Sequence, residues 1–273
     1  MTFGGESSES YFDEGLTASK KGDLARAIEF FEKAVQLDKT FLAAYHQLAK
    51  CYLRTGESRR AVDILQNVVS ARPNQIPPRL DLGYALLEAG HTQEARRQFT
   101  HIIENDAANT RAHLGLAYVC FHEANWSGAV SEAKTALAQG GPNFSVLFIL
   151  GRAAKLTGDL EISVQALEEA EGLIAKSIDL NPDQPEGYYL RGELSFVRES
   201  YAKALECYTA AELRVKSDHL YVAFAESFSR LDVLTKQALC YQRLGRLDKA
   251  RDLGAEIVKT DPNHKLGQAL RNL

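Results

Sequence analysis

The chain has 273 residues, 45% of them hydrophobic and 25% charged, which supports a folded core and excludes a disordered polyelectrolyte. Its formal net charge of -4 leaves no strong positive field for nucleic-acid phosphates or an anionic membrane. The longest apolar runs, such as 144–150 and 220–224, fall far short of the roughly 20 residues a membrane-spanning helix needs.

Residues 1–7 are small and polar, without the charged start and apolar centre of a secretory signal, and are expected to be a disordered lead. A repeat follows. Gly15, Ala49, Gly83, Ala117 and Gly151 stand 34 residues apart, and Ala27, Ala61, Ala95, Ala129 and Ser163 keep the same step. Between the two series lie turn signals: Gly22-Asp23, Gly56-Glu57, Gly90-His91, Ala124-Asn125 and Gly158-Asp159. Gly closes one helix in the left-handed conformation, and Asp or Asn caps the next. Each unit therefore reads as helix A, a short turn and helix B. Tyr45, Leu48, Ala49 and Tyr52 mark the apolar face of one helix A, and Ala61, Leu65, Val68 and Val69 that of its helix B. The small residues sit where A and B cross closely.

The period breaks twice. The step from Gly151 to Gly192 is 41, and the apolar phase continues through Ala170, Leu173, Ile174, Ala175, Ile178 and Leu180, which predicts a lengthened helix B. The step from Gly192 to Ala238 is 46. Leu220, Phe224, Phe228, Leu231 and Leu234 are helically spaced there, predicting a second extended helix with Asp218 as its cap. Pro73, Pro182 and Pro262 end helix B segments. Leu266, Ala269, Leu270 and Leu273 outline a short capping helix over 265–273.

The residues Tyr45, Leu48-Ala49, Tyr52, Ala61, Leu65, Val68 and Pro73 resemble the tetratricopeptide repeat pattern. So do Leu82-Gly83, Ala95 and Phe99, and Tyr188, Gly192, Ala204, Tyr208 and Ala211. The resemblance implies an all-α, right-handed superhelical solenoid of about seven helix-turn-helix units. These run over about 8–41, 42–75, 76–109, 110–143, 144–184 with the extended helix, 185–230 with the insertion, and 231–264. It also implies that helix A lines a concave groove. The groove positions are His46, Lys50, Arg54, Leu80, Tyr84, Leu87, Leu114, Tyr118, Phe121, His122, Phe148, Arg152, Lys155 and Tyr189.

Chemistry for catalysis is absent from the sequence. The seven His residues form no HExxH pattern, and Cys51, Cys120, Cys207 and Cys240 form no CxxC pair, so no metal, cofactor or structural disulfide is expected. Reduced cysteines suit a cytoplasmic compartment. Gly172 to Ser177 lacks the second Gly of a phosphate loop and lies in a helical pattern. The expected function is a scaffold or adaptor rather than an enzyme. Its groove would bind a protein or peptide with apolar anchors and acidic flanks, without nucleic acid and without membrane insertion. The alternatives are a regulatory or targeting arm of a larger enzyme complex and an RNA-binding helical repeat. Oligomeric state is left open, with the C-terminal extended helices as a dimer contact.

Overall fold

The computed structural model describes residues 7–216, 219–223 and 226–273. It divides into two compact units, Met1–Gly141 and Pro142–Leu273. Unit 1 holds four A/B pairs: α1 (Ser8–Lys20) with α2 (Leu24–Leu37), α3 (Leu42–Arg54) with α4 (Ser58–Ala71), α5 (Ile76–Glu88) with α6 (Thr92–Asn105), and α7 (Thr110–His122) with α8 (Trp126–Gly140). Unit 2 holds α9 (Phe144–Thr157) with α10 (Leu160–Leu180) and α11 (Pro185–Val197) with α12 (Tyr201–Glu212). A hairpin of β1 (Tyr221–Ala223) and β2 (Glu226–Phe228) follows, then α13 (Arg230–Arg243) with α14 (Leu247–Thr260), and α15 (Lys265–Arg271). The architecture is an all-α repeat solenoid of seven pairs. Of the expected lead, residues 1–6 lie outside the described residues, and Ser7 caps α1 by accepting from Ser10 N–H.

The A-to-B turns are set by local chemistry. Gly22, Gly56, Gly90, Gly158 and Gly245 all adopt left-handed φ between 73° and 84°. The equivalent positions of the other two pairs hold Ala124 (φ 57°) and Glu199 (φ 61°), where a Cβ is strained. Side-chain caps follow at Asp23, Asn125 and Asp159. Glu57 and His91, at the same position, make no such bond.

At four of the A/B crossings a glycine of A, Gly15, Gly83, Gly151 or Gly192, receives a side chain of B. A Cβ on Gly15 would stand 2.6 Å from the Phe31 ring, and one on Gly192 2.5 Å from the Tyr208 ring. Phe99 is held from two sides: a Cβ on Gly83 or on Gly115 would each come within 2.5 Å of it. Where helix A carries Ala49, Ala117 or Ala238 instead, the Phe31-equivalent position of B holds Leu65, Ala133 or Gly254, none of them aromatic. These residues are buried. At Gly254 the vacated space is taken by the backbone of α15, whose Arg271 N would lie 2.5 Å from an added Cβ. Leu270 is thereby buried on Ile257, Leu234 and Ala238, while Leu266 and Leu273 remain 39% exposed.

The two breaks in period resolve differently. The first is the predicted lengthened helix, α10 at 21 residues, whose extra turns bring Ile178 against Gly187 of α11. The second is not a helix. α12 ends at Glu212, and Tyr221, Val222 and Ala223 pair antiparallel with Phe228, Ser227 and Glu226. The helical spacing of Leu220, Phe228 and Leu231 is real but is overridden by aromatic packing: Tyr221 and Phe228 stack at 5.3 Å, and Phe228 stacks on Tyr189 at 3.9 Å. The expected cap Asp218 and Phe224 lie outside the described residues. Ser229 caps α13 instead, in a capping box with Asp232.

All four cysteines are free and buried. Burial pushes the Cys51 and Cys207 thiols up, and the Cys240 thiol up to about 12.

Three outcomes follow from this packing. Gly15→Ala should destabilise by about 1–3 kcal/mol despite its better helix propensity, and Phe31→Leu should relieve part of that cost. Urea denaturation of the two single variants and the double variant should give a coupling of about 1 kcal/mol. A coupling near zero would mean that the ring does not fill the glycine's space. Ala124→Gly should raise stability by about 0.5–1 kcal/mol by removing a left-handed Cβ, net of the unfolded-chain entropy; thermal melts decide the sign. The native cysteines should react with Ellman's reagent far more slowly than the unfolded chain, since a buried thiol rarely presents thiolate.

Candidate functional site

Within unit 1, α1 packs beside α3, α3 beside α5 and α5 beside α7, whereas successive B helices do not approach as closely. The A helices therefore line the inner side of this unit. Two polar belts hold them in place. Near their N-terminal halves, His46 Nε2 lies 2.8 Å from Asp81 Oδ2, Arg111 Nη2 lies 3.5 Å from Asp81 Oδ1, and the Tyr84 hydroxyl donates to Arg111 O at 2.8 Å. Near their C-terminal ends, Arg54 Nη1 reaches Ser19 O (3.4 Å) and Oγ (3.3 Å). The same ends are held by helix B of the preceding pair: Ser58 of α4 donates to Glu88 at 2.7 Å, and Arg96 of α6 pairs with Glu123.

The A helices also carry a mixed surface. Leu53, Tyr84, Leu87, Tyr118 and Phe121 are half-buried, as are Phe12 and Leu16 on α1. Phe121 meets Trp126 edge-on at 4.9 Å. Lys50 and His122 are exposed, and Lys20 and Lys50 make no ion pair among the described residues. This arrangement offers apolar side chains with one covered and one open flank beside unneutralised cations.

Four expected groove residues are not open. Leu80 (4% exposed) and Leu114 (8%) are buried, so the expected floor in unit 1 is narrower than the sequence pattern suggested. The reason is lateral: adjacent A helices stand close enough for these leucines to pack inside the unit. In unit 2, Phe148 is 1% and Tyr189 6% exposed. The cations of unit 2 are also engaged. Arg152 sits 5.1 Å over the Phe148 ring. Lys155 donates to Val197 O at 2.7 Å and to Glu199 at 2.6 Å, and holds the Glu199 carboxyl below its ordinary range.

Sequence reasoning missed Asp81, Arg111 and Ser19. A signal existed: His46 and Asp81 are 35 residues apart, as are Ser19 and Arg54. One repeat plus one residue is the offset that sets side chains on neighbouring A helices face to face.

Among the described residues, no group of three or more His, Cys, Asp and Glu side chains is assembled for a metal ion, and no helix is long and apolar enough to cross a membrane. Models of the tetratricopeptide repeat family match residues 18–85, 80–143 and 232–264. The chain belongs to the tetratricopeptide repeat family. Among curated relatives, DnaJ homolog subfamily C member 3 of Gallus gallus is 24% identical over 257 residues, 94% of this chain and 43% of that protein. Protein O-mannosyl-transferase TMTC1 of Homo sapiens is 23% identical over 79% of this chain and 24% of that protein. The chain thus spans less than half the length of these two relatives. Among solved structures, a tetratricopeptide repeat protein from Parabacteroides merdae superposes with a TM-score of 0.63 at 16% identity, covering 97% of this chain and 98% of that one. The Cut9 structure, solved with Hcn1 as an APC/C hetero-tetramer, gives 0.62 at 18% identity over 97% of this chain and 49% of that one. At these identities the structural likeness concerns the tetratricopeptide fold.

The polar belt also carries an expected outcome. Asp81→Ala leaves His46 and Arg111 without their shared carboxylate and should cost about 1 kcal/mol. The loss should appear in urea denaturation with helical content intact, and an unchanged midpoint would remove the belt from the account of this face.

Proposed function

We propose that this chain is a protein-interaction scaffold that holds a segment of a partner protein on the A-helix face of unit 1. The observation that carries the reading is that the A helices of unit 1 carry half-buried Leu53, Tyr84, Leu87 and Phe121 together with exposed Lys50. Those side chains are already fixed by packing on one flank, so covering the other costs little ordering entropy. The cations favour a segment with acidic residues beside its apolar anchors, because charge at a rim sets association rate and partner choice while apolar anchors supply most of the affinity.

The narrowed floor shifts the expected anchors towards Leu53, Leu87 and Phe121, away from buried Leu80 and Leu114. A second reading, in which the array is the targeting arm of a larger assembly, draws support from the greater length of the curated relatives. It assigns the same face the same work. Four buried, free thiols suit a reducing, cytoplasmic setting.

The test starts with a photo-crosslinking residue at Leu87, compared with one at exposed Arg97 on helix α6. The partner captured from Leu87 and not from Arg97 is then purified. Leu53→Ala with Leu87→Ala should weaken its binding by about 2 kcal/mol, and Lys50→Glu should slow association in a salt-dependent way. Unchanged affinity and rate in both folded variants would remove this face as the docking site.

A further inference from the structure

The A/B pairs of this chain are joined by a few residues each, except between α12 and α13, where 213–229 intervene. Both ends of this insert are anchored. Arg214 donates from Nε to Pro182 O at 2.8 Å and from Nη2 to the Tyr188 hydroxyl at 3.3 Å, with its guanidinium 4.1 Å over the Tyr188 ring. At the far end, the Ser229–Asp232 capping box starts α13.

Between these anchors, β1 packs on α11 and β2 on α13, which are both A helices. The hairpin therefore lies across the A side of unit 2. Phe228 is fully buried and stacks on Tyr189 with ring planes 5° apart. Its register partner Tyr221 is 7% exposed and accepts the Lys216 N–H at 2.9 Å through its hydroxyl. A ribbon of two short strands is not stable alone in water, so its order derives from these aromatic faces resting on α11.

We infer that the hairpin is a built-in occupant of the A-helix face of unit 2, filling a docking surface for an extended, aromatic-bearing segment. Tyr189 is the platform of that surface. Phe228 takes the stacking position on it, with Tyr221 beside Phe228. A competing ligand has the same chemistry: a strand-like peptide presenting one aromatic ring to Tyr189 and a second next to it. While the insert is docked, unit 2 offers no such face. This holds independently of whether unit 1 docks a partner.

Two experiments on the full chain test it. With Trp126→Phe as background, Phe228→Trp makes the hairpin carry the only tryptophan. Its emission should be blue-shifted and shielded from acrylamide, and a water-like, freely quenched emission would overturn the docked arrangement. The Tyr221→Ala, Phe228→Ala variant should keep its helical circular-dichroism signal. It should also bind a synthetic peptide of residues 219–229 at least ~10-fold more tightly than the unaltered chain, since self-occupancy cuts apparent affinity by the fraction of sites left open. Adding Tyr189→Ala should abolish that gain. Equal peptide binding by altered and unaltered chains would refute the inference. So would loss of the helical signal in the double variant, which would make the hairpin a structural brace.

Discussion

The structure depends on one repeated contact, the seating of a helix B side chain against a small residue of helix A. Gly15 and Gly192 meet aromatic rings and Gly151 meets Leu167. Close-packed interiors make such a contact demanding, because a methyl group too many or too few is felt as strain or as a cavity. Phe99 extends the rule along the stack. Held between Gly83 of its own pair and Gly115 of the next, it makes one side chain serve both the crossing within a pair and the spacing between pairs.

The crossing uses one side of helix A, and the two units treat the groove side differently. Unit 1 secures its A helices by polar belts and carries on them half-buried apolar residues together with exposed Lys50. Unit 2 covers Tyr189 with Phe228 and commits Lys155 to Glu199. The long α10 belongs to the same economy, since its extra turns bring Ile178 over Gly187, where a shorter helix would leave the start of α11 bare.

The repeat itself was determined by sequence alone. Gly or Ala every 34 residues and a left-handed turn position seven residues after each are short-range demands, and each residue type answers one of them. Turn positions and the lengthened α10 could be read for that reason. Even Ala124 and Glu199, which lack the expected glycine, occupy the left-handed position because the register of flanking helices imposes it.

Tertiary structure alone decided which groove positions are open. Leu80 and Leu87 look alike in the pattern, yet only Leu80 is buried, because that depends on how closely α3, α5 and α7 approach one another. It also decided the fate of the second insertion. Leu220, Phe228 and Leu231 carry a helical spacing, and spacing was the only guide the sequence supplied. Stacking on Tyr189, 39 residues earlier in the chain, stabilises a strand at Phe228 instead, and a contact at that separation leaves no trace in local periodicity.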